Sequence, residues 1–149
     1  MYISQVFKTL EQQLKQSIPE ETLFDPGNTP FTNVTLIYLE NDIAKEISIG
    51  TYLNIKRVKE PVIKPVPSNH QMEECIGLAK VLTASHLEST NYETLEQSSL
   101  LTDYGYCSSI LLSQNLRAII AIVASPADIL FCYKYVENCV QISVDNHLQ

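Results

Sequence analysis

The sequence predicts an α+β domain: a single five-stranded antiparallel sheet flanked by helices, in the order α-β-β-α-β-β-β-α. Three observations predict it. Apolar residues recur at helical spacing near both ends and in the middle of the chain, and β-branched runs joined by turn residues fill the stretches between. Consecutive strands joined by tight turns pair antiparallel, so the helices have to cover the faces of one sheet. At 149 residues, 45% hydrophobic and 18% charged, the chain is long enough for one core and too apolar for dominant disorder. We therefore expect residues 1–149 to form a single domain, with loop extensions at 19–32 and 56–67.

Each element follows from local pattern. Ile3, Val6, Phe7, Leu10 and Leu14 share one helical face and Lys8, Glu11, Gln12 and Lys15 the other, with Pro19 closing the helix. Residues 19–32 hold three prolines and the pair Pro26-Gly27, the signature of an irregular loop. Val34 to Leu39 reads as a buried strand, Glu40-Asn41-Asp42 as a turn, and 46–55 as a second strand alternating Ile47, Ile49 and Tyr52 with polar neighbours. Residues 56–67 gather Lys56, Arg57, Lys59 and Lys64 among Pro61, Pro65 and Pro67, an extended basic connection. Ser68 and Gln71 form a capping box before Met72, Cys75, Ile76, Ala79 and Leu82, in a helix reaching about His86.

The second half is denser in strands. Residues 95–102 are ambiguous between strand and loop, and Asp103-Tyr104-Gly105 makes a turn. Residues 107–113 and 117–124 flank Gln114-Asn115 as a second hairpin, and the latter run is apolar enough to be covered on both faces. In Ser125-Pro126-Ala127-Asp128, Ser125 is placed to cap a helix, Pro126 takes its first position and Asp128 completes an S-x-x-D box. Ile129, Cys132, Tyr133, Val136, Cys139 and Val140 then form the apolar stripe of the last helix.

Charge and cysteine usage exclude several function classes. A net charge of −7 argues against holding phosphate backbones, so no nucleic-acid partner is expected. Lys8, Glu11 and Lys15 interrupt any signal-peptide core, Arg117 interrupts the longest uncharged run, and neither Met1-Tyr2 nor Leu148-Gln149 encodes a lipid anchor. The expectation is a soluble, cytoplasmic chain whose Cys75, Cys107, Cys132 and Cys139 are reduced core thiols without metal-ligand spacing. The sequon Asn33-Val34-Thr35 falls inside a strand and carries little weight.

Catalytic signals are sparse. His70 falls in a first helical turn, His86 near a helix C-terminus and His147 in a frayed tail, none beside a nucleophile motif. The four glycines form no phosphate cradle, and Glu20-Glu21 and Glu73-Glu74 read as solvated or capping charge. The basic cluster at 56–64 reads as a solvated connection, with contact to a phosphate or an anionic membrane as the alternative. Tyr104 and Tyr106 at a hairpin tip suit an interface as well as they suit structure. We expect no cofactor, no metal and no enzymatic activity.

The polar stretch NYETLEQ, the strand SSLLTD, the turn YGY, the hairpin SSILLSQNLRAIIAIVA and the step SPAD into ILFCYKYVENCVQI together resemble the Roadblock family, the dynein-light-chain type of longin-like domain. KTLEQQL and VTLIYLENDIAKEISIG fit its first helix and hairpin. The likeness is greatest to Roadblock subunits of Ragulator, the lysosomal or vacuolar scaffold that holds Rag-type GTPases for target-of-rapamycin signalling. The two loop extensions and a first turn without glycine depart from the family's pattern.

The resemblance implies a non-catalytic scaffold that pairs, as homo- or heterodimer, with another Roadblock subunit and supports Rag-type small GTPases. It would be cytoplasmic and reach a lysosomal or vacuolar membrane only through partners. Family members pair through the second helix and third strand, which implies Met72, Cys75, Ile76, Ala79, Ser98, Ser99, Leu100 and Leu101 here. An unprotected edge at 97–101 agrees, because such edges aggregate unless paired. The alternatives on the same architecture are a small-molecule or cofactor-binding sensor of the PAS, GAF or profilin-like type, and a small haem-degrading enzyme. The first lacks a visible cluster of converging polar groups and the second a catalytic constellation.

Overall fold

The computed structural model describes residues 2–16, 30–53, 69–87, 99–102, 105–113, 115–124, 126 and 128–147. Its elements are α1 (Tyr2–Lys15), β1 (Phe31–Glu40), β2 (Ile43–Tyr52), α2 (Asn69–Leu87), β3 (Ser99–Leu101), β4 (Gly105–Ser113), β5 (Leu116–Val123) and α3 (Ile129–Asp145). One antiparallel sheet runs in the order β2-β1-β5-β4-β3, which makes the chain an α+β protein. Four of its strands are eight to ten residues long. The remaining piece, β3, is a three-residue rim, because Thr102 folds back at once and donates its N–H to the Gly105 carbonyl at 2.8 Å.

Burial explains the layering. All eight residues of β5 and the first seven of β1 are buried, so the sheet centre needs cover on both sides. On one side, Leu116, Ala118, Ile120 and Ile122 join Val34 and Leu36 beneath α1 and α3. Helix α1 contributes Ile3, Val6, Leu10 and Leu14, and α3 contributes Cys132, Tyr133, Val136, Cys139, Val140 and Val144. On the other side, Phe31, Ile37, Cys107, Ile119, Ala121 and Val123 pack beneath α2, the one described helix on that face. Each such aliphatic side chain stabilises by about 1.5–3 kcal/mol when fully buried.

Several boundaries differ from the sequence reading. β1 starts at Phe31 instead of Val34, because Phe31 and Thr32 pair with both Tyr52 and Thr51 of β2 and Val123 and Ile122 of β5. Ladder partners far along the chain claimed two residues that resemble loop. Helix α3 starts at Ile129, with Asp128 in the N-cap position and its carbonyl accepting from Cys132 N at 3.0 Å. The S-x-x-D pattern contains two good capping residues and the second takes the position, although the Asp128 side chain makes no capping hydrogen bond. His147 is no frayed tail: its Nε2 lies 2.8 Å from Thr9 Oγ1, which ties the end of α3 to α1. The loop at 19–29, the basic connection at 56–67 with Ser68, and the stretch 91–98 lie outside the described residues.

The β1–β2 turn has a definite geometry. Asn41 and Asp42 have φ of 53° and 62° between the paired residues Glu40 and Ile43. Positive φ at both central positions is the two-residue turn whose twist matches a hairpin, and it prefers Asn-Gly. Asp42→Gly is therefore expected to raise the urea midpoint and Asp42→Val to lower stability by about 1–2 kcal/mol. Equal midpoints for the two variants would contradict this turn.

Candidate functional site

Helix α2 lies across β1, β5 and β4 and has two distinct faces. Its inner stripe is Cys75, Ala79 and Leu82, fully buried, with Met72, Ile76 and Leu78 partly buried against the same cluster. The Cys75 thiol lies 3.3 Å from the Ala121 carbonyl and 3.8 Å from the Phe31 carbonyl. The chain's own sheet thus occupies the surface that the family resemblance assigns to a partner through Met72, Cys75, Ile76 and Ala79. The apolar period of 72–82 marks the face that had to be covered, and β1 and β5 cover it.

The outer stripe is Glu73, Gly77, Lys80, Val81 and Ala84, all exposed. Val81 is 59% exposed. A methyl group added at Gly77 would meet nothing within 4 Å. This face is open and poor in charge at its centre, a surface that sequence reasoning missed. Its one visible signal is a glycine followed four residues later by an uncompensated valine, which a search for large apolar residues passes over.

The rim of the sheet sits beside this helix. Thr102 Oγ1 donates to Glu74 Oε1 at 3.2 Å, which ties the end of β3 to α2. A Cβ at Gly105 would lie 2.7 Å from Leu78 Cδ1 and 3.0 Å from Thr102 Oγ1, so glycine permits the close approach there. Of the strand residues expected at an interface, Ser98 lies outside the described residues, whereas Ser99 and Leu100 are placed in β3 by their backbone. Leu101 is 76% exposed at the edge.

The remaining candidates have structural roles. All four cysteines are free and buried. Burial pushes the Cys107 and Cys132 thiols up to about 12, with the Asp128 carboxylate adding to the shift at Cys132. Burial raises Cys75 and Cys139 as well. Neutral, enclosed thiols are poor nucleophiles. Tyr106 is half-buried and packs edge-on against Tyr133 at 5.0 Å between ring centres, so it builds the core near the hairpin tip. Tyr104 lies outside the described residues, as do the side chains of His70 and His86.

A surface groove of about 560 Å³ runs between β4, at Ile110 and Leu112, and α3, at Lys134, Glu137, Asn138 and Gln141. It combines apolar strand residues with amides and one ion of each sign, and holds no thiol or imidazole. No helix is long and apolar enough to cross a membrane among the described residues. No family model, no curated protein and no solved structure matches this chain.

Two outcomes follow. Gly105→Ala is expected to lower stability by about 1 kcal/mol or more, read as a shifted denaturation midpoint, because Leu78 or Thr102 has to move. The thiols titrate at their ordinary value of 9.0 when unfolded and near 12 when folded at Cys107 and Cys132. Their raised folded values contribute stability that is fully present below about pH 9 and lost as pH climbs towards 12. Unfolding free energy is therefore expected to fall from pH 9 upwards, and less steeply when Cys132 is replaced by Ala. A Cys132→Ala profile with the same alkaline slope would rule out that contribution.

Proposed function

We propose that this chain is a non-catalytic scaffold subunit of the Roadblock type, pairing through the outer face of α2 and the edge of β3 with another Roadblock-type subunit. In this reading the dimer supports Rag-type small GTPases in nutrient and target-of-rapamycin signalling, at a lysosomal or vacuolar membrane reached through partners. The observation that carries it is the open stripe Glu73, Gly77, Lys80, Val81 and Ala84 on a helix whose other side is fully used. A glycine inside a helix costs about 1 kcal/mol relative to alanine, a cost more readily kept where a second backbone has to come close. The β3 rim beside it presents edge hydrogen-bonding groups, which folded proteins cover. Element order gives the same support, since the sequence α-β-β-α-β-β-β-α is the one the resemblance implies.

The pairing surface is thereby moved one face round α2. Met72, Cys75, Ile76 and Ala79 support the helix from within, and their outward neighbours meet the partner. The groove between β4 and α3 keeps a second reading in view, a ligand-binding sensor, because apolar walls and amides converge there.

Light scattering on the chain alone, and mixed with Roadblock-type subunits of its host, decides between the two. Scaffold function predicts a stable dimer in at least one mixture, and co-purification of that dimer with Rag-type GTPases from the native cell. A strictly monomeric chain in every mixture, or a chromophore or haem retained through purification, would overturn it in favour of the sensor.

A further inference from the structure

We propose that the free edge of β2 is a docking site for an extended segment of a partner protein, one that alternates aliphatic with polar residues and sets a lysine or arginine opposite Glu46. The site lies at the opposite edge of the sheet from β3 and stands independently of pairing through α2. β2 is an outermost strand, with ten residues against the three of β3. Its turn fixes which backbone groups face outward. Glu40 and Ile43 close a two-residue turn and bond each other, so Ile43, Lys45, Ile47, Ile49 and Thr51 spend their N–H and C=O groups on β1. The neighbouring bonds keep the same alternation: Leu39 N–H donates away from β2 to the Asn115 carbonyl at 3.3 Å, and Leu53 N–H donates to the Pro30 carbonyl at 2.9 Å. Ala44, Glu46, Ser48 and Gly50 therefore point their backbone groups away from the sheet, and no described residue pairs with them.

Folded proteins blunt an edge of this kind with a proline, a bulge or a lysine on the strand. β2 holds no proline, and its register with β1 runs unbroken from Phe31↔Tyr52 to Glu40↔Ile43. Its one lysine, Lys45, is tied to β1 through Glu40, 3.0 Å away. The edge is left open, and its chemistry describes what fits. Donors and acceptors recur at every second residue, about 6.8 Å apart along a nearly straight line. An extended backbone carries matching groups at that interval, whereas a helix spends its own internally. The two faces then set the side chains. On the face turned to α1 and α3, Ile47 and Ile49 are half-buried against the core and Ile43 is 61% exposed, so aliphatic residues of an added strand continue that surface. On the other face Glu46, Ser48 and Gly50 are exposed, and Glu46 takes part in no ion pair among the described residues. That carboxylate, and the net charge of −7 behind it, favour a base directly opposite.

The probe is a fluorescently labelled, end-blocked peptide of about eight residues that alternates valine with threonine and carries one central lysine. Its binding to the full chain is read by anisotropy, and the bound edge by amide hydrogen exchange. Saturable binding is expected, with slowed exchange at Ala44, Glu46, Ser48 and Gly50. Ser48→Pro removes one outward N–H and leaves the β1 ladder intact, so it is expected to stay folded by circular dichroism and to bind roughly tenfold more weakly or worse. The same peptide N-methylated throughout is expected not to bind the unmodified chain, which tests the backbone bonds without relying on the variant's folding. Glu46→Lys is expected to reverse the preference by a few-fold, towards a peptide with glutamate at its centre. The proposal is overturned by absence of binding up to about millimolar peptide, by equal binding of the N-methylated peptide or of folded Ser48→Pro, by an unchanged preference in Glu46→Lys, or by protection confined to α2 and β3. A chain that is dimeric alone and becomes monomeric with Ser48→Pro would place a second copy on this edge, and would overturn the assignment to a partner protein.

Discussion

Leu116 to Val123 has no residue that water reaches, and a strand with two covered faces has to be roofed twice. Its even-numbered residues, from Leu116 to Ile122, feed the cluster under α1 and α3, and Ile119, Ala121 and Val123 feed the cluster under α2. The strand order places β5 between β1 and β4, so both neighbours share the requirement. Arg117 is the exception in this run: it is 1% exposed, and desolvation pulls its pKa down. Its Nη1 donates to Ser109 Oγ at 2.8 Å, and Asn33, Thr35 and Thr83 are also buried. A guanidinium in such a place is tolerated because it is hydrogen-bonded, since an isolated buried charge would cost far more than its packing returns.

The two roofs are unequal, and the candidate site follows from that inequality. On one side α1 and α3 lie together: Tyr135 Oη donates to the Gln13 carbonyl at 3.4 Å, and His147 reaches Thr9. Each of these helices therefore has a helical neighbour as well as the sheet. On the other side α2 stands alone among the described elements, with its inner stripe spent on β1, β5 and β4. A helix in that position exposes whatever its outer face carries. Here the outer face carries a glycine, a valine and an alanine beside one acid and one base, so the surface arises from the architecture and no catalytic motif is needed to explain it.

How much of this is legible in the sequence depends on what each signal measures. The strand at 116–123 and the stripes of α1 and α3 are legible because β-branched runs and helical spacing report burial directly. The start of β1 is not, because Phe31 and Thr32 become strand only through partners on β2 and β5 that are distant in sequence. The capping position of α3 is ambiguous for a local reason, since Ser125 and Asp128 are both good caps and only the path out of β5 chooses. At the candidate site the same spacing rule misleads. Cys75 and Ala79 stand out because they are periodic, and periodicity marks the face turned inward, so it selects residues that the chain's own sheet buries. Gly77 and Ala84 are the residues left outside, and small side chains contribute almost nothing to an apolar period.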